Sequence, residues 1–426
     1  MLHPCRTSHP SGNLCACPRF TCSTPTDLCR WASAYQWQEI DIINFAIMKL
    51  LGNRGPTLSL AQMLSCLCQR IPIEFLSARY ASQISKEEKD QVHSHMRVIL
   101  KICNSFETMV STSPSEPVLS EAAYAVMTMR SDFSAPWALQ QILDGFAVNK
   151  GEVGELLVAL LFILSCDYAI GPADQFGHPP GGERCCSVTH LLTSLFCASV
   201  STSEGHVDIT ASHGWCCQPG GISNQTLPLG DAFKNSKIYF HHFIKVHEHA
   251  LFDKKHLMRL MARGAAMLCA NGQPGVDGII PFLLDDNKIT PDNIGIIMFQ
   301  VKNDARYSHI PKVDLFNVMD PQNLGLFSTD IPIIRIVFAL AANQPQLVLV
   351  DHATPHEERR DHATYDFWVS GLSSDLLGPI AVGEQSTWAS ILQASHGWKD
   401  TYSDTSDLQT NLRMSMNPGT ATDDPF

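Results

Sequence analysis

The chain has 426 residues, with 30 basic against 42 acidic side chains and a formal charge of −12, a length that allows two or three domains. With 45% hydrophobic and 17% charged residues there is material for a large core, which excludes a wholly disordered or coiled-coil protein. The acidity also excludes a protein that coats nucleic acid over its whole surface, because that role needs a basic excess.

Residues 1–35 are rich in Pro, Ser, Thr and Cys without periodicity and predict a disordered leader, with polar residues where a signal peptide would carry its apolar stretch. Residues 36–148 predict an all-helical N-terminal region. Ile40–Leu51, Leu58–Cys68, Lys86–Phe106 and Ser120–Met129 repeat apolar residues at three- and four-residue spacing between Gly, Pro and Ser punctuation.

Residues 149–395 predict the core. An apolar helix at Gly151–Cys166 leads into a Gly/Pro/Cys-rich stretch, then a strand-like run at Ile238–Val246 and a helix near Asp253–Arg263. Val276–Leu284 and Ile294–Asn303 read as two strands joined by a polar hairpin loop, and Ile331–Ala342 and Gln346–Val350 extend the sheet. The fold class is α/β (α+β), a central mixed sheet flanked by helices. Residues 396–426 predict a disordered acidic tail.

The longest apolar run, Leu156–Leu164, reaches Asp167 short of the ~20 residues a membrane span needs, so no membrane partner is expected. Many of the fifteen cysteines, Cys66, Cys68, Cys103 and Cys166 among them, sit singly inside helical patterns, as buried thiols of a reducing compartment do. The expected location is intracellular, nucleus or cytoplasm.

Strand alternation puts Gln300 and Lys302 on one face, with Ile297, Phe299 and Val301 on the other. Asp277 is the one ionisable residue of its strand, and a carboxylate there costs several kcal/mol unless paired, hydrogen-bonded or metal-bound. Pairing of the two strands brings Asp277, Gln300 and Lys302 to one end of the hairpin, as a structural ion pair or as a reactive group. Glu152 and Glu155 share the first turn of the apolar helix, where acids also serve simply to offset the helix dipole.

Together these segments resemble the PD-(D/E)xK, or restriction-endonuclease-like, nuclease superfamily, whose core runs helix with acid, strand with Asp, strand with Glu-x-Lys or Gln-x-Lys. The matching segments are KGEVGE (Lys150–Glu155), GVDGIIPF with Asp277, and FQVKN with Gln300 and Lys302. The KGxxxE spacing is similar to Holliday-junction resolvases and selects Glu155; the Gln-x-Lys variant is similar to the Mrr-like branch of restriction enzymes. RGAAMLCANGQPGVDGIIPFLL with IMFQVKND also resembles a group of uncharacterised fungal proteins, some of them similar to Crinkler-type effectors and transposon-linked nucleases. That likeness covers about residues 50–340, whereas the superfamily motif covers only short segments.

The resemblance implies a restriction-endonuclease-like core and Mg²⁺- or Mn²⁺-dependent hydrolysis of nucleic acid, with DNA the expected substrate. Asp277 would be the central metal ligand, joined by Glu155 and by the carbonyls of Gln300 or Val301; Lys302 would orient or activate water. Two departures stand out. Gln300 replaces an anionic Glu, and about 120 residues separate Glu155 from Asp277, implying a large insertion at about 168–235. The alternative is a catalytically inactive module of the same fold that binds nucleic acid or protein.

Charge location bears on the partner. Asp231–Ala265 holds seven Lys or Arg against three acids, while the chain from Asp351 onward holds four against twelve. Lys245, Lys254, Lys255, Arg259 and Arg263 are therefore candidate phosphate contacts, the last four being alternatively the solvated face of one helix. A structural zinc is not expected. Cys185, Cys186, His190, His206, His213, Cys216 and Cys217 lack C-x₂-C spacing, as do the leader cysteines Cys15, Cys17, Cys22 and Cys29. His241, His242, His247 and His249 read chiefly as exposed strand residues, with metal binding the lesser alternative.

Overall fold

Apolar runs too continuous for a half-exposed strand require cover on both sides, and the computed structural model of the chain provides it. The residues described are 42–52, 55–76, 82–102, 109–143, 150–174, 177, 179, 184–202, 205–217, 223–246, 253–285, 288–326, 331–350 and 363–394. The expected leader and acidic tail, and His247 and His249, lie outside them.

The N-terminal part runs α1 (Ile42–Leu51), α2 (Leu60–Arg70), β1 (Phe75–Leu76), α3 (Ser82–Ser94), β2 (Val98–Ile102), β3 (Met109–Thr112), α4 (Pro117–Met129) and α5 (Ala135–Leu143). Ser59 and Gln62 form a reciprocal capping box that starts α2. Leu50, Cys66, Ala122 and Val126 bring α1, α2 and α4 into one apolar cluster.

The expectation of helices alone is corrected here by an antiparallel sheet of order β1-β3-β2. The run predicted as one helix over Lys86–Phe106 breaks after Ser94, where Met96 takes a left-handed φ of 59° that a helix cannot contain. Arg97 is buried and its guanidinium donates to Ile73 O at 2.7 Å and to Ser111 Oγ at 2.9 Å. Those bonds tie the three strands together.

The core follows: α6 (Lys150–Ile170), α7 (Val188–Leu195), β4 (Val200–Thr202), β5 (Gly205–Val207), β6 (His213–Cys217), β7 (Ser223–Pro228), α8 (Leu229–Ala232), β8 (His242–Lys245), α9 (Lys254–Ala262), β9 (Ala265–Leu268), β10 (Gly278–Leu283), β11 (Ile294–Lys302), α10 (Val313–Val318), β12 (Ile333–Ala339), β13 (Gln346–Leu349), β14 (Thr364–Ser370) and α11 (Gln385–Gln393). One mixed sheet has the order β5-β4-β13-β14-β12-β11-β10-β9-β8, with β6 and β7 attached beside β14. Thus residues read as an insertion contribute strands to the same sheet. Pairing is parallel between β11 and β12, β12 and β14, and β8 and β9, and antiparallel across β9-β10-β11.

Helices cover both faces. α6 lies against one, with Phe162 packed on Phe299 and Phe338 at ring separations of 5.2 and 5.9 Å. α9 and α10 lie on the other, where Leu257, Leu260 and Phe316 meet Met298, Val337 and Trp368. Of the described helices, α6 is long and apolar enough to cross a membrane, but 72% of the relevant window is buried inside the fold. Asp167 does not end it, because that carboxylate is buried between Arg70 and Arg184 at 2.8 and 2.9 Å. This double ion pair also ties α2 to the core.

A second buried pair pins the centre of the sheet. Arg335 and Asp366, directly opposite on β12 and β14, are 1% and 0% exposed; the guanidinium donates from Nε to Asp366 Oδ1 at 2.7 Å and from Nη1 to Phe316 O at 2.6 Å. Arg335→Leu leaves Asp366 charged and unpaired in the core and is expected to cost about 3–5 kcal/mol in urea unfolding. Arg335→Leu combined with Asp366→Leu is expected to recover most of that loss; equal losses in the single and double variants would contradict the assignment.

Candidate functional site

The site forms where the first turns of α6 meet the end of β11. A Cβ on Gly154 would lie 2.9 Å from Val301 Cγ1 and 3.3 Å from the Cβ of Asn303, closer than side chains pack. The glycine therefore admits the helix onto the strand tip. Glu155 comes next in sequence and is carried into the fold. Glu152, one turn earlier, is bound instead by Asn271, whose Nδ2 donates to Glu152 Oε1 at 2.9 Å.

Strands β10 and β11 deliver the second carboxylate. Their ladder begins with Gly278 opposite Phe299, where any Cβ would strike the Phe299 ring. One step further, Asp277 stands level with Gln300. Its N–H donates to Phe299 O at 2.9 Å, and its own carbonyl accepts Cys269 N–H at 2.9 Å. Beyond that point the side chain replaces the ladder: Val301 N–H donates to Asp277 Oδ2 at 2.6 Å. Val301, expected to offer a carbonyl, thus uses its N–H to hold Asp277.

Two lysines share this environment. Lys245 ends β8 on the same face as Phe243, which packs toward α6, and its Nζ donates to Glu155 Oε2 at 2.7 Å; the two side chains are 13% and 15% exposed. Lys302 Nζ lies 6.0 Å from the Tyr307 ring centre and makes no ion pair among the described residues.

Burial pushes the Glu155 carboxyl above the ordinary carboxylate range; Lys245 pulls it down, Asp277 pushes it further up, and Lys302 again pulls down. Burial likewise raises Asp277 against the downward pull of the Val301 N–H, Lys302 and Lys245. Cys269 is raised chiefly by burial and then by the Asp277 charge. The four charged groups therefore act on one another as a single electrostatic unit.

Gln300 stands level with Asp277 and is buried, but strand alternation turns its side chain to the Met298 face, away from α6, and its Oε1 makes no hydrogen bond among the described residues. Glu155 and Asp277 each have one carboxylate oxygen that makes no hydrogen bond among the described residues. Two carboxylates are hard donors that suit Mg²⁺ or Mn²⁺. No cluster of three or more His, Cys, Asp or Glu able to hold a metal occurs among the described residues.

Of the sequence-predicted residues, the structure gathers Glu155, Asp277, Gln300, Val301 and Lys302, and adds Lys245 from the group read as phosphate contacts. The others lie elsewhere. Lys254 pairs with Asp292 at 3.3 Å, Lys255 is exposed on α9, and Arg259 shares that helix on the sheet face opposite α6. Arg263 Nη2 donates to Ser115 O and Oγ at 2.6 and 3.0 Å. His241 and His242 are buried and stacked, with His242 Nε2 and Ser115 Oγ 2.7 Å apart. The ion pair of Lys245 with Glu155 escaped sequence reasoning, although the alternation Phe243, Lys245 already placed the lysine on the α6 face.

Compared with family models, curated proteins and solved structures, the chain has no match.

The contact of Gly154 with Val301 is testable by a double-mutant cycle. Gly154→Ala is expected to cost about 1–3 kcal/mol by overpacking, and the loss should be smaller in a Val301→Ala background, where Cγ1 is gone. Strictly additive losses in chemical unfolding would contradict the contact.

Proposed function

We propose that the chain is a divalent-metal-dependent nuclease with a restriction-endonuclease-like core that hydrolyses phosphodiester bonds, with DNA as substrate. The observation that carries this reading is the half-buried quartet Glu155, Asp277, Lys245 and Lys302, whose charges act on one another. It stands at the end of β10 and β11, where the ladder gives way to the bond between Asp277 and Val301.

Glu155 and Asp277, joined by a carbonyl of Gln300 or Val301, would hold the cation. When bound, Mg²⁺ or Mn²⁺ supplies positive charge that offsets the scissile phosphate and lowers the pKa of a bound water. Lys302, its ammonium free of any carboxylate partner among the described residues, orients the attacking water and stabilises charge developing on the phosphate oxygens. The water oxygen bonds to phosphorus and gives up a proton to solvent, the bond from phosphorus to the leaving oxygen breaks, and that oxygen takes up a proton from solvent. Val301 keeps Asp277 oriented throughout by its N–H. Lys254, Lys255 and Arg259 on α9 are proposed as backbone contacts away from the cleavage point.

A second reading is a binding module without turnover, and the charges favour it in one respect. Gln300 carries none and Lys245 already offsets Glu155.

Cleavage of plasmid and single-stranded DNA with Mg²⁺ or Mn²⁺ tests the proposal. Lys302→Ala and Asp277→Asn are expected to lower the rate by about 10²-fold or more, the scale of losing one transition-state donor. Cleavage that survives both substitutions would refute the assigned site. Salt-sensitive DNA binding without turnover under any divalent metal would select the second reading.

A further inference from the structure

Lys245 is badly placed for a surface phosphate contact and well placed for something else. Its ammonium is 2.7 Å from Glu155 Oε2 in a pair only 13% and 15% exposed, so solvent weakens the attraction far less than on an open surface. Within the quartet two carboxylates are balanced by two ammoniums. A divalent ion added to that arrangement leaves two uncompensated positive charges, and it meets Glu155 already occupied.

The structure also offers Lys245 another position. Beside it lies a cleft of about 20 Å³ lined by Gln69, Glu74, Ser115, His242 and Phe243 as well as Lys245, about the room one water needs. Gln69 is buried there, and both its Oε1 and Nε2 lack hydrogen-bond partners. An amide oxygen in that state is an acceptor waiting for a donor. Lys245 ends β8, the last strand on its side of the sheet, so its side chain can turn without disturbing a further strand.

We propose that Lys245 is the resident counter-cation of Glu155, that a divalent ion gains Glu155 by displacing this ammonium, and that the displaced ammonium is received in the cleft by Gln69. The proposal rests on the metal-dependent reading above and adds to it a built-in competitor that sets the metal requirement. Lys302, which holds no carboxylate, is not displaced.

Binding of Mn²⁺ to the whole chain, followed by loss of the free-ion paramagnetic resonance signal, tests this without reference to activity. Lys245→Met is expected to bind Mn²⁺ about tenfold more tightly than the unsubstituted chain, within the usual range for coupled sites. Lys245→Arg, which keeps the cation and offers a second donor to the carboxylate, is expected to bind several-fold more weakly and serves if the Met variant does not fold. Glu155→Gln should abolish the difference between Lys and Met at 245.

Unchanged or weaker Mn²⁺ binding in Lys245→Met, or unchanged or tighter binding in Lys245→Arg, overturns the displacement. Absence of Mn²⁺ binding in every variant overturns it together with the metal-dependent reading. Binding that follows the expected order without DNA cleavage removes the nuclease reading and leaves the displacement standing.

Discussion

Gly154 lets the first turns of α6 rest on the tip of β11, where Val301 and Asn303 leave no room for a Cβ, and that approach sets the depth at which Glu155 enters the fold. Everything chemical about the site follows from it. The body of α6 is held across the sheet by Phe162 on Phe299 and Phe338, and its far end by Asp167 between Arg70 and Arg184. With the helix fixed along its length, Glu155 has little freedom to avoid Asp277. The two carboxylates are thereby held close enough for the Asp277 charge to raise the proton affinity of Glu155, while burial raises both.

Such a pair needs compensation, because isolated buried charge costs several kcal/mol. The compensation is uneven. Asp277 is steadied by a main-chain N–H that the strand ladder no longer uses, whereas Glu155 is steadied by a lysine side chain. A main-chain donor cannot leave; a lysine on a terminal strand can. On the proposed reading, that asymmetry makes Asp277 the permanent anchor of the site and Glu155 the exchangeable half, and Gln300 adds no charge to it. An amide in place of a third carboxylate keeps the quartet electrically balanced when no cation is present.

Much of the architecture was legible because burial on both faces writes long apolar runs. The observed α6, β10, β11, β12 and β13 fall within a few residues of where periodicity put them, and register brings Asp277 level with Gln300. What was illegible depended on tertiary context. Nothing in Lys86–Phe106 announces that Met96 adopts a left-handed backbone or that Arg97 is buried among three strands, because an apolar residue every third or fourth position also fits a short helix followed by a strand. Asp167 read as an end to the apolar run, since its two arginine partners are distant in sequence. Lys245 read as surface charge because net charge over a segment does not reveal which face a side chain takes.

Anomalous scattering from crystals soaked in Mn²⁺ tests most directly whether Glu155 and Asp277 form one cation site. The account predicts a single strong peak within coordinating distance of both carboxylates, with Lys245 moved off Glu155. A peak elsewhere, or an intact pair of Lys245 with Glu155 beside an empty site at saturating Mn²⁺, would contradict it.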